Sequence, residues 1–196
     1  MRILRAAGYR TMPWKNGGGT TTEIAVSPAD AGLDDFDWRI SMARVEAGGP
    51  FSAFPGIDRT LCVLEGEGLT LDVAGLAPAT LTGTSEPFSF PADAPTSATL
   101  PAGPITDLNV MTRRSRLRHR VERLDLADAV EIAADAALTL VLCHEGEVRL
   151  RQGTAAETLG RLDMAILADG QAALRLDPAP RARLFVIRIT VGQGVR

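Results

Sequence analysis

Leu61-Cys62-Val63-Leu64-Glu65-Gly66-Glu67-Gly68-Leu69-Thr70-Leu71 is an apolar run, an acid–glycine turn and a second run. Aliphatic and β-branched residues bounded by turn residues read as paired strands. The pattern returns as Leu140-Val141-Leu142-Cys143-His144-Glu145-Gly146-Glu147-Val148-Arg149-Leu150. A further apolar run follows each copy at similar spacing, Leu108-Asn109-Val110-Met111 and Leu184-Phe185-Val186-Ile187. Two copies of a hairpin plus closing strand predict two tandem β-barrels or jelly rolls, the first over residues 1–115 and the second over 116–196.

The rest of the chain fits an all-β reading. Strands are expected at Thr20–Val26, Asp37–Val45, Thr60–Leu64, Leu69–Val73, Pro87–Phe90, Asp107–Thr112, Leu138–Cys143, Glu147–Arg151, Met164–Leu167, Ala172–Leu176 and Arg183–Thr190. Gly, Pro, Asp and Asn separate them at intervals typical of sandwiches and barrels. Only Leu126–Ala134 has helical composition.

At 196 residues the chain can bury a substantial core, and its 45% hydrophobic content is that of a globular protein. The net charge of −3 gives no global attraction to nucleic acid or to an anionic membrane. No apolar run has the length of a membrane span, and Met1-Arg2-Ile3-Leu4-Arg5 lacks the apolar core of a signal peptide. Cys62 and Cys143 each lie in an apolar run and read as buried free thiols of a cytoplasmic protein.

The only lysine, Lys15, lies in Pro13-Trp14-Lys15-Asn16-Gly17-Gly18-Gly19; every other basic residue is arginine. Lysine is a compact point charge, and a glycine run lets backbone approach a ligand closely, so the segment reads as a site. A tight loop whose lysine faces water is the competing reading. The aromatics Tyr9, Trp14, Phe36, Trp38, Phe51, Phe54, Phe88 and Phe90 all precede residue 115, and only Phe185 follows it. Small-molecule pockets have aromatic and apolar linings with a few placed polar groups, so the first barrel is the candidate for the site.

Alternation places Arg39 and Ser41 on one face of their strand, Asp107, Asn109 and Met111 on one face of theirs, and Thr21 with Glu23 on a third. Each set, taken alone, reads equally as the solvated side of an antiparallel sheet. Inside a small barrel the same residues imply a ligand or a satisfied network. The segment from Gly48 to Arg59, rich in Gly, Pro and Phe, reads as a pocket wall or as a hydrophobic plug leading into Arg59. Arg39, Arg59 and Lys15 together could hold a carboxylate, with Asp107 orienting a cation or binding a ligand amine.

Other chemistry finds little footing. His119 and His144 form no His-x-His pair and lie outside the first-barrel pocket, so no metal and no cofactor are expected. There is no Gly-x-Ser-x-Gly elbow, and Lys15 precedes its glycines instead of following them as in a phosphate loop. Arginines at 113, 114, 116, 118, 120 and 123 form a basic stretch, with Arg114, Arg116, Arg118 and Arg120 alternating along an expected strand. Nearby Glu122, Asp125 and Asp128 favour a solvated face over a nucleic-acid stripe.

Four motifs in order carry a family resemblance: Pro13-Trp14-Lys15-Asn16-Gly17-Gly18-Gly19-x-Thr21-x-Glu23-Ile24; Trp38-Arg39-x-Ser41-x-Ala43; Gly49-Pro50-Phe51-Ser52-x-Phe54-Pro55-Gly56-x-x-Arg59; and Asp107-x-Asn109-x-Met111-x-Arg113-Arg114. Over roughly residues 3–125 the chain resembles the HutD/Ves family. The resemblance implies a bicupin without the metal-binding histidines of ordinary cupins. It also implies a link to bacterial histidine utilisation, with a pathway intermediate such as N-formylglutamate or urocanate as ligand. The Ves branch is associated with temperature stress instead. One departure stands out: the third motif often carries Asp where this chain has Gly48.

The expected function is therefore a small-molecule-binding regulator. Arg39, Arg59 and Lys15 would hold the ligand carboxylate, while Asn16, Ser41, Asp107 and Asn109 would meet its other polar groups. Trp14, Phe51 and Met111 would shield it, on a scaffold of Gly18, Gly19, Thr21 and Glu23. No catalytic residue is identified; the alternative is a metal-free isomerase or lyase with Lys15, Glu23 or Asp107 as acid or base. The remaining partner class is a second copy, a homodimer joined through apolar strand faces of the second half.

Overall fold

A computed structural model describes residues 1–15 and 17–192, and within them the chain is all-β: seventeen strands and a single 3₁₀ turn at Ala6–Gly8. It divides into two compact units, one formed by Tyr9–Arg118 with Gly192, the other by Met1–Gly8 with His119–Val191.

In the Tyr9–Arg118 unit, β2 (Arg10–Pro13), β3 (Gly19–Ser27), β4 (Trp38–Val45), β11 (Ile105–Arg113), β6 (Ile57–Glu65) and β9 (Phe88–Pro91) lie side by side in that order. A four-stranded sheet runs β5 (Gly49–Pro50), β10 (Thr96–Thr99), β7 (Leu69–Val73) and β8 (Ala79–Leu81). All of these pairings are antiparallel. Ala43, Val45, Leu61, Val63 and Ile105 of the larger sheet share one core with Leu69, Leu71, Val73, Leu81 and Ala98 of the smaller. A second, smaller cluster holds Phe36, Ile57, Ala92 and Met111.

In the other unit the sheet order is β1 (Arg2–Leu4), β16 (Met164–Ala168), β14 (Leu138–Gln152), β17 (Leu174–Val191) and β12 (Leu117–Leu126). β13 (Val130–Ile132) pairs with β17, and β15 (Ala155–Leu159) with β14. The core includes Val141, Cys143, Val148, Leu150, Leu174, Leu176, Leu184 and Val186. Cys62 and Cys143 are both buried free thiols. No helix of the described residues is long and apolar enough to cross a membrane.

The sequence repeat has a structural counterpart. In each copy the closing strand pairs with the first apolar run, Leu61 opposite Asn109 and Leu140 opposite Ile187, but neither copy is a hairpin: β6 and β7 lie in different sheets, and Leu140 and Leu150 share the single strand β14. The glycines that follow each first run correspond as well. Gly66 has φ +90 and would place a Cβ 2.6 Å from the Pro104 carbonyl; Gly146 has φ +76 and would place one 2.2 Å from that of Arg181. Both positions, Gly66 in the turn after β6 and Gly146 within β14, need glycine for backbone conformation and for space.

Three further expectations are corrected. Leu126–Ala134 is not helical: Leu126 ends β12, and Val130–Ile132 forms β13 with Ile132 in the core, so tertiary pairing overrides local composition. The four expected strands 138–143, 147–151, 172–176 and 183–190 are two long ones, β14 and β17. Register shifts at Cys143/Glu145 and Gly146/Val148 bend β14 without ending its ladder, as β-bulges do. Arg114 and Arg116 sit in the turn before β12, so the arginines do not alternate along one strand. Arg114 pairs with Asp58 and Asp93, Arg116 with Asp37 and Arg120 with Glu122, while Arg118 donates to the backbone carbonyls of Arg114 and Leu117.

Candidate functional site

Strand register assembles the site. Residues directly opposite in an antiparallel ladder project to the same face of the sheet. One row across the six-stranded sheet reads Val26, Arg39, Met111, Arg59, Phe90. The next reads Glu23, Ser41, Asn109, Leu61, Phe88, and the third Thr21, Ala43, Asp107, Val63. Polar residues scattered over ninety positions of sequence thus form one patch between the two apolar clusters of this face. The patch is not a solvated side: Arg39 is 5% exposed, Arg59 9%, Asn109 3% and Asp107 0%.

Burying such groups is unfavourable unless they are hydrogen-bonded, and most of them are. Arg39 donates from Nε to Glu23 Oε2 at 2.8 Å and from Nη1 to Ser41 Oγ at 3.4 Å. Arg59 donates from both Nε (2.7 Å) and Nη2 to the single oxygen Asn109 Oδ1. Asn109 Nδ2 donates in turn to Asp107 Oδ1 at 2.5 Å. Asp107 and Arg59 therefore fix the Asn109 amide from both sides, since the flipped amide would set NH₂ against guanidinium. The Arg59 guanidinium carbon stands 4.6 Å from the Phe51 ring centroid and 5.7 Å from that of Phe90, within cation–π range.

Two features remain open. Among the described residues, Arg39 Nη2 and Arg59 Nη1 make no hydrogen bond. Asp107 Oδ2 is buried without a hydrogen bond to any described residue, while the Ala43 backbone N–H adds to the influences that favour the charged carboxyl. Burial pushes the Asp107 carboxyl up to about 6, against the opposing pull of Arg59 and the Asn109 amide. Burial lowers the Arg59 guanidinium to about 10, with Arg39 acting in the same direction and Asp107 against it, so Arg59 stays charged at neutral pH. With Glu23 and Asp107 both ionised, the two arginines and two carboxylates sum to zero.

The remaining candidates have definite places. Trp14 donates from Nε1 to Thr21 Oγ1 at 2.7 Å and packs against the larger core. Gly19 is buried, and a Cβ there would meet the Arg44 carbonyl at 2.1 Å, so this position needs glycine for close strand packing. The Gly18 carbonyl accepts a hydrogen bond from the Glu46 amide. Lys15 is exposed in the turn that these contacts close, and Asn16 lies outside the described residues. In the proline-rich segment, Phe51 stacks on Arg59 as a wall, whereas Phe54 packs on Phe36 at 6.3 Å as a plug. Gly48 also has a steric reason: a Cβ there would come 2.6 Å from the Ala98 carbonyl. The residue that sequence reasoning missed is Phe90, opposite Arg59 in register; Phe88-Ser89-Phe90 alternation hinted at it, but only the register could assign the face.

The HutD family's sequence profile matches residues 6–185. The chain belongs to the HutD family. An uncharacterised 21.2 kDa protein in the hutC 3′ region of Pseudomonas putida is 34% identical over 177 residues, covering 90% of this chain and 92% of that protein. Protein Ves of Citrobacter koseri is 40% identical over 120 residues, 59% of this chain and 61% of that protein. Among solved structures, HutD from Pseudomonas fluorescens SBW25 (formate condition) superposes with a TM-score of 0.82 at 33% identity, covering 97% and 98% of the two chains. A conserved protein of unknown function from Pseudomonas aeruginosa PAO1 gives 0.88 at 34% identity, covering 96% and 98%. Beyond the HutD family the likeness is of fold alone: a cupin 2 conserved barrel domain protein from Leptotrichia buccalis gives 0.60 at 10% identity, covering 91% and 92%.

Proposed function

We propose that this protein is a cytoplasmic small-molecule sensor with a metal-free bicupin architecture, restraining or tuning bacterial histidine utilisation by binding a carboxylate intermediate. The observation that carries this reading is the buried pair Arg39 and Arg59, each with a terminal nitrogen unengaged by protein. Arginine forks match carboxylate geometry, and in a desolvated patch their N–H groups gain more from an anion than they would in water. The match to HutD-family proteins and to one encoded in the hutC 3′ region supports a hut pathway ligand, with N-formylglutamate and urocanate as the leading candidates. The ligand would lie over the Tyr9–Arg118 unit, with the His119–Val191 unit as structural partner or as the surface that pairs two copies.

A thermal-shift panel with N-formylglutamate, urocanate, histidine, glutamate and an unrelated dicarboxylate tests this. Ligand at a hundred times its Kd stabilises by about 2.7 kcal/mol, which is roughly 5–10 °C for a chain of this size. A selective shift with one pathway acid, absent in Arg59→Ala, is the expected result. No shift with any of the five at millimolar concentration would remove the sensor reading.

The raised Asp107 carboxyl favours a second reading, a metal-free enzyme using it as acid or base. Its burial weighs against that, because a ligand held by Arg39 and Arg59 would meet Asp107 only through Asn109. Prolonged incubation separates the two: a sensor returns its ligand unchanged, whereas an enzyme accumulates product.

A further inference from the structure

The proposed carboxylate site carries its own charge problem. Arg39 and Arg59 are already matched by Glu23 and Asp107, so an entering anion adds one uncompensated negative charge to a buried patch. Glu23 is the more exposed of the two acids and is held by Arg39 Nε at 2.8 Å. Asp107 is sealed, gives one oxygen to Asn109 and leaves Oδ2 without a hydrogen bond to any described residue. A proton placed on Oδ2 would leave the Asp107–Asn109–Arg59 chain intact, because Oδ1 still accepts from Asn109 and Asn109 Oδ1 still holds Arg59. It would also free the Arg59 charge for the ligand.

We infer that a carboxylate ligand binds this protein together with one proton, which is taken up by Asp107 Oδ2. This rests on the carboxylate-binding reading above and adds to it a defined stoichiometry and pH dependence. Asp107 is a positioning residue: it acts on the ligand through Asn109 and Arg59. The charged groups that share its face are Arg59 on β6, Arg39 on β4 and Glu23 on β3. Its register partners Ala43 and Val63 belong to an apolar cluster that takes in Leu69, Leu71, Leu81 and Ala98 of β7, β8 and β10. The Asp107 carboxyl in the free protein, at about 6, lies where neutral solution leaves it ionised yet able to take a proton when an anion arrives.

The test uses formate, the smallest carboxylate, which stays ionised throughout the range. It is titrated at constant ionic strength near pH 5.5 and near pH 8, reading the Arg39 and Arg59 Nε–H signals by ¹⁵N NMR and the Asp107 carboxyl by ¹³C NMR. Proton-linked binding weakens about tenfold per pH unit above the free carboxyl's midpoint, so half-saturation rises well over tenfold between the two conditions. Formate also moves the Asp107 titration midpoint upward. Asp107→Asn keeps the contact to Asn109, and it binds at both pH values as tightly as the wild type does near pH 5.5. Equal half-saturation at both pH values in the wild type, or an unmoved Asp107 midpoint, overturns proton coupling and leaves the carboxylate site standing. No arginine response at either pH removes the carboxylate site and this inference with it. The wild-type titrations decide the matter even if the variant does not fold.

Discussion

Asp107 is a fully buried carboxyl whose ionisation costs stability. Its carboxyl is raised in the folded state to about 6 from an ordinary value of 3.8, so the folded protein holds that proton more tightly than the unfolded chain does. The sign follows: the penalty for burying the charge is absent below about pH 4, grows as pH rises and is complete above about pH 6. Asp107→Asn removes the titration. The stability difference between variant and wild type should therefore move in the variant's favour from pH 4 to pH 6.5 by on the order of 2–3 kcal/mol, measured by urea unfolding. An unchanged difference over that range would mean the carboxyl is solvated. Asn109→Leu tests the other end of the chain. It strips Arg59 of its acceptor, and the expected cost is about 1–3 kcal/mol together with loss of carboxylate binding.

At the scale of elements, much of the fold was legible because alternation and turn chemistry are local. The strands β3, β4, β6, β7 and β11 stand close to their expected places, but β6 and β7 lie in different sheets instead of pairing as a hairpin; the faces of Arg39, Ser41, Asp107 and Asn109 followed from period-two counting. What sequence could not supply is register, a relation between distant residues. Nothing near Arg59 says that it meets Met111 on one side and Phe90 on the other. Bulges were equally hidden, since the Glu145-Gly146 pair looks like a chain reversal but leaves β14 running on to Gln152. Lys15 shows the opposite limit: its rarity singled it out, yet the structure leaves it at the surface of its turn. Gly66 and Gly146 give an element-scale prediction. Gly66→Ala and Gly146→Ala combine positive φ with a Cβ at 2.6 Å and 2.2 Å from a carbonyl, whereas Gly103 (φ +80) has nothing within 4 Å of its own. Thermal melts should rank both variants well below Gly103→Ala, which loses only about 1 kcal/mol to conformation. A Gly103→Ala loss as large as the others would remove the steric argument.

At the scale of the whole molecule, Met1–Gly8 belongs with His119–Val191 rather than with the segment it precedes. β1 pairs with β16, Arg5 bridges Glu157 and Asp163, and the Asp163 carboxylate accepts from the Ala6 amide at 2.8 Å. Deleting residues 1–8 should thus lower hydrogen-exchange protection in β14 and β16 and leave β4, β6 and β11 unchanged. The reverse pattern would refute this assignment. Asp163→Ala should reproduce a milder form of the same loss.

That arrangement also has a consequence in time. A ribosome delivers Met164–Ala168, the partner of Arg2–Leu4, only after about 160 further residues have been joined. Throughout synthesis of the intervening polypeptide Arg2–Leu4 waits without the backbone partners that β16 supplies. A nascent chain stalled near residue 118 would hold every strand of the Tyr9–Arg118 unit while Arg2–Leu4 still lacked its partner. In a living cell an unpaired strand of this kind is open to capture by a chaperone, or to misplaced pairing with a neighbouring nascent chain, until Met164–Ala168 has emerged.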